Sequence, residues 1–203
     1  SPVPNTNIYY TLDGSEPTGN SLRYSKPITV NSTSTIKARG INPEKDDHYV
    51  ASMSVNQIGV YEPIKVEDVS PGLTCNYYEG EWESLPNFDT MAVAKSFVAD
   101  TVSIPEFARD EDYGLTFKGI IKVQTDGVYA FSINSDDGSR LFVADSLVVD
   151  NDGLHGDWEI TGLIGLKAGY HPISAYMFQC KGGEALGMSI AGPSLSKQIV
   201  PVS

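Results

Sequence analysis

Apolar residues recur at two-residue spacing through the centre of the chain, at Phe131, Ile133, Leu141, Val143, Leu147 and Val149. That period predicts two short strands, each with one buried face. Ser135-Asp136-Asp137-Gly138-Ser139 interrupts the first run and Asp150-Asn151-Asp152-Gly153 the second, with residues that favour turns and tolerate unusual backbone angles. Two acidic loops on β scaffolding are the strongest functional signal in the sequence.

The same reading predicts a separate β unit over residues 1–58. Strand formers fill residues 8–12, 27–30, 35–39 and 53–58, and no helix-period stretch competes. Asp13-Gly14-Ser15-Glu16-Pro17 reads as a tight turn, which explains Asp13 and Glu16 better than an acid–base pair does. His48, beside Asp46 and Asp47, reads as a solvated loop residue. Residues 59–72 form a short extended join, stiffened by Pro63 and Pro71, in which Ile64 and Val66 are apolar enough to pack. Residues 79–114 are the least regular stretch, and a strand follows over 115–123. The expected architecture is all-β, with a small sandwich at 1–58, a semi-rigid linker at 59–72 and a second β domain at 73–203.

Charge narrows the partners. The chain of 203 residues carries a formal net charge of −12, and residues 73–203 hold 18 of the 26 acidic residues against 8 of the 14 basic ones. Such a field disfavours nucleic acid and anionic membranes and suits cations or neutral ligands; solubility alone also explains much of it. No run approaches the roughly 18 apolar residues of a membrane span. The abrupt opening on Ser1-Pro2-Val3-Pro4 is expected of a piece of a longer chain, with any export signal upstream. Cys75 and Cys180 allow one internal pairing or two free thiols.

The central motifs carry a resemblance. Gly127-Val128-Tyr129-Ala130-Phe131, then Ser135-Asp136-Asp137-Gly138-Ser139-Arg140-Leu141, then Val149-Asp150-Asn151-Asp152-Gly153-Leu154-His155, stand in the order found in PA14 domains. Gly72-Leu73 with Tyr77-Tyr78, the run Gly169-Tyr170-His171-Pro172-Ile173, and Gly182-Gly183 with Leu186 extend the likeness over residues 72–203. Residues 1–58, with Tyr9-Tyr10-Thr11-Leu12-Asp13-Gly14-Ser15-Glu16-Pro17, resemble a truncated fibronectin-III-like module of the chitobiase and β-hexosaminidase type. The two resemblances imply a non-catalytic accessory region of an exported glycoside hydrolase, with a catalytic domain upstream. They also imply a PA14-type barrel or sandwich that binds glycan.

In the fungal adhesin branch of the PA14 family, consecutive Asp residues joined by a cis peptide hold a calcium ion that accepts sugar hydroxyls. The resemblance therefore implies calcium at Asp136 and Asp137, and Glu184 or Gln179 stands where the adhesins offer an Asn. Calcium takes six to eight oxygens, which suits that set, although Lys181 opposes a cation. His155 and Trp158 are candidates for lining a glycan groove, and Trp82 either stacks on a sugar or packs over the end of the domain. The competing reading makes Asp136-Asp137-Gly138 a plain hairpin turn, with Asp136 accepting backbone N–H groups and Arg140 paired to a carboxylate. On that reading the domain only braces its neighbour or contacts another protein. Nucleophile elbows, zinc-protease helices and phosphate loops are all missing from the sequence, so an enzymatic role for this segment has no motif behind it.

Overall fold

In the computed structural model, which describes residues 4–44 and 49–200, strand-forming residues pair from Asn7 onward. Strands β1 (Asn7–Thr11), β2 (Leu22–Arg23), β3 (Ser34–Ile41) and β4 (Val50–Val55) form one sheet in the order β2-β1-β3-β4. Asp13 does the work of a turn residue: its Oδ1 accepts from the backbone N–H and the hydroxyl of Ser15, at 3.0 and 2.6 Å. Gly14 follows at φ +79, a conformation glycine adopts without strain. Residues 27–30, expected as a strand, pair with nothing; Pro27 has no N–H to give a ladder. Lys45 to His48 lie outside the described residues.

The chain divides into two units between Gln57 and Ile58. The second contains two mostly antiparallel sheets. One is six-stranded, in the order β11 (Ser146–Asn151), β10 (Ser139–Val143), β13 (Gly169–Gln179), β8 (Tyr113–Val123), β6 (Leu73–Glu79), β7 (Lys95–Ala99). The other is five-stranded, in the order β15 (Leu195–Ile199), β14 (Ala185–Gly192), β9 (Gly127–Asp136), β12 (Trp158–Leu166), β5 (Val60–Tyr61). These are open, sandwich-like sheets rather than a closed barrel. Their inward residues make the core, among them Leu115 and Phe117 of β8, Phe131 and Ile133 of β9, Leu141 and Val143 of β10, and Met177 of β13.

The join between the units is built into this sandwich. β5 pairs in parallel with Gly165 and Leu166 of β12, and the Ile64 N–H donates to Tyr170 O at 2.8 Å. Pro63 covers Gly169, where a Cβ would lie only 2.4 Å from the ring. The Ile64 side chain itself stays 43% exposed, so main chain rather than apolar surface makes this contact.

One expectation is overturned. Asp136, Asp137 and Gly138 do not close a hairpin, because β9 and β10 belong to different sheets. The pairing of β9 with β12 and β14 captures one side of the turn, and the pairing of β10 with β11 and β13 captures the other. The segments between β11 and β12 and between β13 and β14 also cross between sheets. Register places all three crossovers at one end, since Ser139 faces Asn151, Trp158 faces Ser135 and Ala185 faces Asp136. Both cysteines are free. Burial pushes the Cys75 thiol up to about 12. No helix among the described residues is long and apolar enough to cross a membrane.

Candidate functional site

The odd-numbered positions that face the core along β9 and β10 do not stay apolar at the crossover end. Ser135, Asp137 and Ser139 continue the inward parity of Phe131, Ile133, Leu141 and Val143, and all three are buried. The Ser135 and Ser139 hydroxyls lie 2.7 Å apart, and the buried Asn151 amide donates to Ser135 Oγ at 3.1 Å. Each polar side chain in this network has a partner, as burial demands.

Asp137 ties the three crossovers together. Its Oδ1 accepts the His155 N–H at 3.2 Å and its Oδ2 accepts the Cys180 N–H at 2.9 Å. The sequence reading gave this amide-accepting role to Asp136; the structure assigns it to Asp137, the inward member of the pair. The intervening peptide bond is cis. No side chain or amide among the described residues donates to the Asp136 carboxylate, which is half-buried and faces the third crossover. A Cβ on Gly183 would sit 3.0 Å from Asp136 Oδ2. Burial, then the neighbouring Asp137, raise the Asp136 carboxyl above its ordinary range, partly offset by His155.

The other candidates fall on different sides of this centre. His155 lies against Trp158 with rings parallel to 4° and centroids 5.0 Å apart. Its two ring nitrogens reach carbonyl oxygens of Gly156 and Asn151, at 2.7 and 2.9 Å, which fixes the ring. Trp158 is left 59% exposed beside the carboxylates. Glu184, expected as a third ligand, is exposed and turned to Tyr113, whose hydroxyl donates to its Oε2 at 2.9 Å. Lys181 pairs with Glu81 at 3.5 Å. Arg140 bonds Asp150 at 2.9 Å and Asp152 at 3.2 Å, not the central pair. Trp82 packs edge-on against Phe88 and over Gly80 and Gly114.

The donor set is one of hard oxygens. No three acidic, histidine or cysteine side chains converge among the described residues, so two carboxylates are the most a cation here could take. Two buried acceptors at this end nevertheless lack any donor, Gln179 Oε1 and Asp112 Oδ1. Gln179, fully buried, holds the third crossover by donating from Nε2 to Gly183 O at 2.7 Å. Buried acceptors without donors are costly, and a bound cation is one way to satisfy them. The donors at this end are oxygens, the ligand type that a hard cation such as calcium takes.

An all-β sandwich with three of its sheet-to-sheet loops gathered at one end is the class this geometry defines. The chain belongs to the PA14 domain family, which matches residues 70–199. Residues 1–55 match the Fn3 associated family. Among solved structures, the chain is similar to an anti-sigma factor domain-containing protein from Clostridium clariflavum, at 24% identity and TM-score 0.57 over 66% of this chain and 46% of that one. The PA14 sugar-binding domain of an RTX adhesin is similar at 18% identity and TM-score 0.56, over 65% and 95%. The A domain of epithelial adhesin 9 from Candida glabrata, solved with Galβ1-4GlcNAc, is similar at 13% identity and TM-score 0.54, over 70% and 92%. At these identities the likeness is one of fold. No curated protein sequence matches.

Proposed function

We propose that the second unit is a non-catalytic glycan-binding module whose ligand docks at the crossover end through calcium. The observation that carries this reading is the Asp136 carboxylate, close to a second carboxylate, with no hydrogen bond of its own and a glycine loop set over it. Asp136 and Asp137 would hold the ion, with the Gln179 amide oxygen serving in place of an Asn. Calcium there would accept sugar hydroxyls, while Trp158, steadied by His155, offers an apolar ring face to a pyranose. Support also comes from the adhesin neighbours, one a PA14 sugar-binding domain and the other solved with Galβ1-4GlcNAc. Terminal β-galactosides are therefore the first glycans to try. We also propose, from the resemblance of residues 1–58, that the chain is an accessory region of an exported glycoside hydrolase of the β-hexosaminidase type with its catalytic domain upstream.

Asp136→Asn is the clean test, because Asp137 also holds the loops and its loss confuses binding with folding. A ligand at a hundredfold over its dissociation constant stabilises the folded state by about 2.7 kcal/mol. Calcium should raise the melting temperature of the wild type and leave Asp136→Asn unmoved. The same substitution should erase calcium-dependent retention on a glycan array. Magnesium, which demands a tighter octahedral cage, should help less. A second reading has its own observation: both Asp137 oxygens accept main-chain N–H groups, as in a purely structural brace. Melting curves indifferent to millimolar calcium would select it.

A further inference from the structure

We propose a second saccharide subsite, independent of any cation, on the outer face of the six-stranded sheet. On that face alternation calls for solvated polar residues. Instead Phe142 and Tyr176 point outward, half-buried, from neighbouring strands β10 and β13, with Arg140 paired to Tyr176 and Ser174 to Phe142 across the ladder. Their rings meet edge to face at 5.7 Å and 84°, and they floor a cavity of about 330 Å³. That is within the roughly 300–1,000 Å³ range of small-ligand sites.

The walls are fixed rather than loose. On one side stands the segment carrying Leu85, Asn87 and Phe88. It is tethered by the Leu85 N–H to Asp152 Oδ1 at 2.7 Å, and its Phe88 ring lies near-parallel to Tyr176 at 6.4 Å. On the other side stands Asp145, in the turn between β10 and β11. Arg140 forms the rim. Asp150 and Asp152 clamp its guanidinium, and the N–H groups they leave over can donate to a ligand. An aromatic floor, a fixed fork of donors and two carboxylate acceptors, Asp89 and Asp145, are the complement of a hydroxylated ring with apolar C–H faces. Asp89, Asp145, Asp150 and Asp152 outnumber Arg140 and Lys118 around the groove, so a neutral sugar fits and a uronic or sulfated one is repelled. This groove uses neither Asp136 nor Asp137 and stands or falls apart from the calcium site.

The test is an array of neutral, uronic-acid and sulfated glycans read in excess EDTA, where a calcium-dependent site is silent. Wild type and Asp136→Asn should retain the same neutral glycans. Ser174→Trp, which fills the groove from an exposed-face position, should cut that retention at least tenfold with an unchanged melting temperature. Phe142→Ala, which removes half the floor, should cut it similarly, and Tyr176→Phe should keep it. No neutral glycan retained in EDTA overturns the proposal. So does retention that survives both Ser174→Trp and Phe142→Ala, or a preference for acidic glycans.

Discussion

Asp136 and Asp137 are neighbours in sequence and do opposite work. Asp137 is inward and clamps two loops through its oxygens, so an Asn there swaps one acceptor for a donor facing an N–H. In EDTA, Asp137→Asn should lower stability by about 1–3 kcal/mol, the cost of unsatisfied buried groups. Asp136 should behave the other way. Its carboxyl is raised above the ordinary 3.8 by burial and by Asp137. A raised carboxyl contributes stability that is present below the unfolded value and lost as pH climbs through the folded one. Asp136→Asn escapes that loss. Without calcium it should melt above the wild type at neutral pH, with the gap closing as pH falls toward 4; with calcium the order should reverse. Melting curves across pH 4–8, with and without EDTA, check both signs. A wild type that outlasts Asp136→Asn in EDTA would show the carboxylate to be satisfied already.

At the scale of elements, the inward parity of residues 131–143 was legible, and polar residues on that parity were the sign of the buried network. Ser135, Asp137, Ser139 and Asn151 occupy positions that the alternation reserves for apolar side chains. The crossover was not legible, because two turn residues between strands look the same whether the strands pair with each other or with partners far along the chain. Here the partners of β9 come from residues 158–166 and 185–192, and only those long-range ladders decide the sheet. Strand β7 and the short 3₁₀ turn over Phe88–Thr90 lay in the stretch read as irregular. Of the candidate site residues, Asp137 meets the backbone of His155, and Trp158 stacks on that ring. Glu184 turns to Tyr113, a partner far off in sequence that only the tertiary fold brings near. Close packing where the sheets meet yields a further test. A Cβ on Gly162 would lie 1.9 Å from the Val148 carbonyl oxygen, so Gly162→Ala must push β11 from β12 and should cost about 1–3 kcal/mol. Gly187, with open space at its Cβ, should accept Ala at no cost or with a small gain. Equal denaturant midpoints for the two variants would contradict this packing.

For the whole molecule, the distribution of buried apolar surface predicts two unfolding steps. Apart from Pro17, every buried apolar side chain among the described residues lies between Leu73 and Val200, whereas β1 and β3 are only half-buried along their length. The four-stranded sheet of the first unit is half-buried at most along these strands and gains less from burial than the two-sheet core, since apolar area removed from water is the main stabilising term. The first unit should therefore melt first, and amides of β1 and β3 should exchange with solvent well before those of β8, β9 and β13, the central strands of the sandwich. Because β5 and the Ile64 N–H bond to β12 and β13, a fragment of residues 58–203 keeps all of those ladders, whereas one starting at residue 72 loses an edge. Calorimetry of the full chain should show two transitions. The fragment 58–203 should retain the upper one within about 2 °C, the fragment 72–203 should melt lower, and calcium should move the upper transition alone. One cooperative transition that drops when residues 1–57 are removed would mean that the sandwich draws stability from the first unit, and the separation argued from burial would be wrong.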